Sequence, residues 1–189
     1  MTAVDRTVPA TARPATWAAH ATALWSFVFA LFHLYWALGG TFGLGDGENI
    51  DMSSSPGFLA YDLVVTGMCL WGTVVPPALL LPVWRERTLG AVGRVAAATR
   101  VRTAWRTGAP LWTVTASAWI AAVLLVVRWG LGMLPQSMTG QTNEKVFGVA
   151  QPSAYTIWSM RVVEGYFLLG GLLFALVLVQ HYRKSRERV

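Results

Sequence analysis

Apolar residues in this chain do not alternate with polar ones. They accumulate in four long runs, over residues of about 17–38, 58–81, 110–134 and 154–180. Each run matches or exceeds the ~20 residues that a helix needs to cross a hydrocarbon core. A lone segment in lipid must satisfy its own backbone hydrogen bonds, so each run is expected as a helix. The pattern predicts an all-α fold: an integral membrane four-helix bundle, one transmembrane domain over residues 1–189, with residues 1–15 as a mobile tail. The first run outlasts the ~7–15-residue apolar core of a signal peptide and lacks a small-residue cleavage site, so it reads as a retained helix. The Ala/Val/Arg mixture of 89–105 fits either an interfacial amphipathic helix or a plain basic loop. Pro76-Pro77 is expected to bend or break the second helix. Gly67, Gly72, Gly165, Gly170 and Gly171 would let helices approach closely.

Composition supports the membrane reading. Hydrophobic residues make up 54% of the chain and charged residues 13%, against about a quarter charged in ordinary soluble domains. The basic residues are unevenly placed. Arg6 and Arg13 precede the first run; Arg85, Arg87, Arg94, Arg100, Arg102 and Arg106 lie between the second and third; Arg183, Lys184, Arg186 and Arg188 follow the fourth. The other two connections hold only Lys145. The positive-inside rule then puts both termini and the middle connection in the cytoplasm of a bacterial cell. The net charge of +6 is thereby a topology signal, with no nucleic-acid partner implied. The single cysteine, Cys69, lies within the second run; it excludes an internal disulfide and CxxC thiol exchange.

Ionisable residues inside spans are costly and are functional candidates. Here they share a level. His33, Asp62, Arg128, and the pair Arg161 and Glu164 all fall in the extracytoplasmic half of their respective runs. The expectation is one polar cluster. The structural alternative is that two acids and two arginines neutralise each other and pin the bundle, with Arg161 and Glu164 three apart on one helix and Arg128 snorkelling to the headgroups.

Aromatic residues give the cluster walls. Trp25, Phe29, Phe32, His33 and Trp36 recur at helical spacing and share a face. Tyr61, Trp119 and Trp158 are the further candidate lining residues. Interfacial belts explain most of the ten tryptophans; Trp25, Trp71 and Trp119 lie too deep for that. The stripe on the first run ends in "FHLYWALGGTFGLG", whose glycines permit turns closed to other residues. Such a loop can fold over the mouth of the bundle, carrying Asp46, Glu48 and Asp51 as alternative acids, or it can be a plain connector.

The segment "HLYWALGGT", with the four spans around it, resembles a family of small actinobacterial membrane proteins of unknown function, one suspected to include the drimentine-type membrane terpene cyclases. The resemblance implies a proton-initiated cyclisation of a prenyl chain on a lipophilic, indole-bearing substrate. Such chemistry needs a protonated carboxylic acid, a dry aromatic-lined cavity and a base for the last proton. Aromatic faces stabilise cations by roughly 0.5–2 kcal/mol each. The sequence contains no DDxxD, NSE-like or DxDD motif, so neither a metal nor a cofactor is expected. Asp62 has no cation within a turn on its own helix, which suits it to the role of acid, with His33 orienting it. Glu164, beside Arg161, suits a base or an anchor. Arg128 and Arg161 would contact substrate. The partners expected are a lipophilic prenylated molecule and membrane lipid.

Two rival classes remain open at this level. One is a non-catalytic membrane partner or lipid-binding subunit, in which the ion pairs serve packing alone. The other is a haem-binding oxidoreductase subunit using His20 and His181, both near the cytoplasmic surface. Transport is less favoured, since four helices without a repeat make a thin pathway.

Overall fold

The computed structural model describes residues 14–45, 56–98, 111–133 and 151–187. It is all-helical there, with five helices: α1 (Pro14–Ala37), α2 (Pro56–Leu80), α3 (Pro82–Ala98), α4 (Leu111–Met133) and α5 (Ala154–Arg186). Four of these, all but α3, are long and apolar enough to cross a membrane. The fifth helix is the departure from the four-helix expectation. α3 begins well before the anticipated 89–105 segment, because the chain breaks at Leu81 and Pro82 restarts it at a first-turn position where a missing N–H costs nothing. The break is not at Pro76-Pro77, which lie inside α2.

The helices pack as two antiparallel pairs, α1 with α2 and α4 with α5, joined chiefly along α1–α5 and α2–α4. Small residues set the close approaches. Gly170 makes room for the Trp25 indole, Gly72 for Ser26 and Phe174, and Gly171 for Val126 and the Ala122 carbonyl. Gly67 and Gly165, expected to do the same, face open space. The core consists of Trp25, Phe29, Val75, Leu79, Leu80, Val114, Phe174, Val177 and Leu178, with the alanines between them. In lipid, dispersion and interhelical hydrogen bonds hold such a core, because the tails are as apolar as the side chains. Trp25 and Tyr166 supply both. Their rings stack at 5.0 Å, the indole N–H donates to the Tyr166 carbonyl at 3.1 Å, and the Tyr166 hydroxyl donates to the Trp25 carbonyl at 2.9 Å.

One end of the bundle is basic. The last carbonyls of α2 have no helical donors, and cations from neighbouring helices serve them. Arg85 donates to Ala78 and Leu79, and Lys184 to Leu80 at 3.4 Å. His181 Nδ1 lies 3.4 Å from the Leu79 oxygen. The opposite end carries His33, Asp62, Arg128 and Glu164, and it is the end that positions the site.

Candidate functional site

α1 stops where its sequence turns to glycine. The Gly39 N–H donates to Trp36 and the Gly40 N–H to Tyr35, each at 2.9 Å, with Gly39 at φ 89°. This is the Schellman arrangement that a left-handed glycine permits. The chain then turns back over the helix end instead of hanging as a connector. The Trp36 indole donates to the Phe42 carbonyl at 2.9 Å, Phe42 N–H to the Tyr35 hydroxyl at 3.3 Å, and Gly43 N–H to the Tyr155 hydroxyl at 3.0 Å. Gly45, at φ 70°, lies flat on Thr156, whose Oγ1 would be 2.6 Å from an added Cβ. The loop acids Asp46, Glu48 and Asp51 lie outside the described residues.

Together α1, this loop and α5 line an open-sided cavity of about 340 Å³, near the small end of the ~300–1,000 Å³ usual for small-molecule pockets. Phe29, Phe32 and Trp36 form one wall, Phe42 and Gly43 the end, and Tyr155, Trp158, Ser159, Val162, Val163 and Tyr166 the other wall. Its polar groups are few, and three of them are engaged. Tyr155 accepts from Gly43, the Tyr166 hydroxyl donates to Trp25, and Ser159 donates to Thr156. The cavity thus offers ring faces and few donors, which suits a hydrocarbon. Phe32 and Phe42 also border a shallower hollow of about 450 Å³ with Val28, Leu31 and Tyr35.

Directly behind the first wall, His33 Nδ1 lies 2.7 Å from Asp62 Oδ1, with side-chain exposures of 5% and 0%. The His33 ring meets Phe29 edge to face at 4.8 Å and Trp36 at 5.1 Å, and Tyr61 at 6.1 Å. His33 is therefore the member of the pair in contact with the cavity wall. Asp62 is one layer deeper, and its Oδ2 has no partner among the described residues. A second pair joins α4 to α5: Arg128 donates to Glu164 Oε1 at 2.6 Å. Glu164 is buried, and Arg128 is about half exposed. The Glu164 carboxyl fits against Gly132 so closely that a Cβ there would overlap it.

The five ionisable groups do not form one cluster. Phe29 and Phe167 stand between the two pairs, 5.3 Å apart, and Arg128 lies over Phe167 at 4.8 Å. Arg161 joins neither pair. It is exposed and leans over Trp158 at 5.8 Å, so the partner of Glu164 comes from another helix and not from its own. Trp119 also falls away from the site: half exposed, it donates to the Tyr182 hydroxyl at 3.2 Å, towards the basic end. Trp25 sits in the core and does not line the cavity. Of the two histidines weighed for haem, His20 is exposed and His181 is turned onto Leu79.

Several lining residues went unnoticed in the sequence. Tyr155, Ser159, Val162, Val163 and Tyr166 recur at helical spacing on α5, a signal comparable to the stripe on α1. Phe42 had no such signal, since its place depends on the glycine turns.

No family model matches the chain, and comparisons with curated proteins and with solved structures likewise find no match.

Proposed function

We propose that this protein is an integral membrane isomerase that cyclises a prenyl chain on a lipophilic substrate by proton transfer. The observation that carries the reading is the buried His33–Asp62 pair set against the wall of an aromatic cavity. An apolar chain lies between the α1 and α5 walls. The pair, one layer behind Phe29 and Trp36, is the source of the proton taken up by the terminal alkene or epoxide, with Asp62 as its acid and His33 orienting it. Carbon–carbon bonds form as the cation migrates past Phe29, Phe32, Trp36 and Trp158, whose faces stabilise it. A proton then leaves the final cation and returns to the pair, so the product is an isomer of the substrate. In this assignment Glu164 anchors Arg128. The arginine distribution puts both termini and α3 on the cytoplasmic side of a bacterial membrane and the cavity in the extracytoplasmic half. Lipid-dissolved substrate reaches the cavity between the exposed residues Phe32, Trp158 and Val162.

A second reading, a lipid-binding subunit without catalysis, is favoured by one observation: among the described residues no carboxylate lines the cavity itself. Incubating membranes that contain the protein with prenylated aromatic compounds separates the two. The cyclase reading expects products of unchanged mass and altered retention; recovery of unaltered substrate that nevertheless co-purifies with the protein supports the second reading and refutes the first.

A further inference from the structure

The α1–α2 interface buries three oxygen atoms that have no hydrogen-bond partner among the described residues: Asp62 Oδ2, Thr66 Oγ1 and Ser26 Oγ. Asp62 and Ser26 are fully buried and Thr66 is 8% exposed. All three belong to the same helix pair, Ser26 at the Gly72 level and so ~9 Å beyond Thr66 along α2. Asp62 and Thr66 are one turn apart on the same face of α2, ~6 Å along its axis. Ser26 lies on α1 two turns from His33, ~10 Å towards the basic end. It faces α2 at Gly72, where an added Cβ would sit 3.0 Å from its Oγ. Pro76 has no N–H, so the Gly72 carbonyl at that level receives no i+4 hydrogen bond. Other hydroxyls of the seam are occupied: Thr22 donates to Ala18 and Thr73 to Cys69.

Buried polar atoms in native proteins are paired, with ordered water where protein groups do not reach. Three unpaired oxygens and a released carbonyl along one helix pair are a row of water ligands. We propose that internal water threads the α1–α2 seam from Ser26 past Thr66 to Asp62 Oδ2 and conducts protons to the His33–Asp62 pair. Each step breaks one O–H bond and forms the next, with no net chemical change. The seam approaches Asp62 from α2, whereas the cavity meets His33 from the α5 side. Proton supply and apolar substrate thus reach opposite members of the pair, which keeps water off a cation in the cavity. The role of that proton deepens the cyclase reading, but the seam and its test require no substrate to be converted.

The test is water-edited solid-state NMR on the full chain in phosphatidylcholine vesicles, with carbon-13 threonine, serine, alanine and valine. Thr66 and Ser26 are expected to take up water magnetisation several-fold faster than Ala30 and Val75, which are also buried; Ser26, at 0% exposure against 2% and 1%, is the stricter comparison. Thr66→Val should slow exchange of the His33 ring N–H several-fold, whereas Thr115→Val on α4 should leave it unchanged. Uptake at Thr66 and Ser26 as slow as at Ala30 overturns the proposal, as does His33 exchange indifferent to both Thr66→Val and Ser26→Ala. The wild-type uptake decides the matter even if a variant fails to fold.

Discussion

Removing one member of the His33–Asp62 pair should cost far more than removing both. The two atoms lie 2.7 Å apart with almost no exposure, so neither solvent nor salt screens them. Neutral interhelical hydrogen bonds in membranes are worth ~0.6 kcal/mol on average and at most ~1.7. Breaking a buried ion pair by deleting one partner costs ~3–5 kcal/mol, while replacing both partners with apolar groups is near neutral or stabilising. A distance of 2.7 Å is at the short, charge-assisted end of the N–H···O range. The expected coupling between Asp62→Leu and His33→Leu therefore exceeds the neutral ceiling of ~1.7 kcal/mol. Each single variant is destabilised, and the double variant regains most of the loss while remaining inactive. The assay is a double-mutant cycle of unfolding free energies, from SDS titration of the protein in mixed micelles. Additive costs, with no coupling, would refute the pairing; an active double variant would refute its use.

Three further outcomes follow from packing and charge. Gly132→Ala drives a methyl into the Glu164 carboxyl and should lower stability by ~1–3 kcal/mol in the same titration; Glu164→Ala should remove that penalty, and Gly130→Ala, which meets nothing within 4 Å, should be neutral or stabilising. Gly45→Ala forces a side chain into φ 70° against Thr156, where the left-handed backbone alone costs ~1–2 kcal/mol; hydrogen exchange at the Gly43 amide should accelerate, and unchanged exchange would mean the loop is not seated there. In a Cys69→Ala background, Ser54→Cys should react with an impermeant thiol reagent from outside intact cells and Thr99→Cys should not; the reverse pattern would invert the orientation.

Much of the architecture was legible because length and apolarity alone mark a helix long enough to cross a membrane, and four runs gave four long apolar helices. α3 was only half legible. Its break depends on the Leu81–Pro82 junction, and Pro76-Pro77 just upstream offered a stronger but misleading signal. Within the site, the common depth of His33 and Asp62 could be read from their distances to the helix ends. Azimuth could not. Whether Glu164 turns towards Arg161 on its own helix or Arg128 on the next depends on how α5 rotates against α4, which the notch at Gly132 helps set. Phe29 and Phe167 then divide what depth alone had grouped together. Trp119 failed for a similar reason: its depth was compatible with the site, but its side faces Tyr182.

The central claim is that the His33–Asp62 pair supplies the proton for cyclisation in the adjoining cavity. Membranes bearing the wild type, Asp62→Asn, Asp46→Asn, Glu48→Gln or Asp51→Asn, at matched expression, should be incubated with one prenylated indole substrate and the products resolved by mass spectrometry. Asp62→Asn preserves size and hydrogen bonding to His33 but is not an acid, so isomeric product should vanish there and persist in the three loop variants. Product from Asp62→Asn at the wild-type rate, with loss in a loop variant instead, would contradict the account and move the proton donor to the loop.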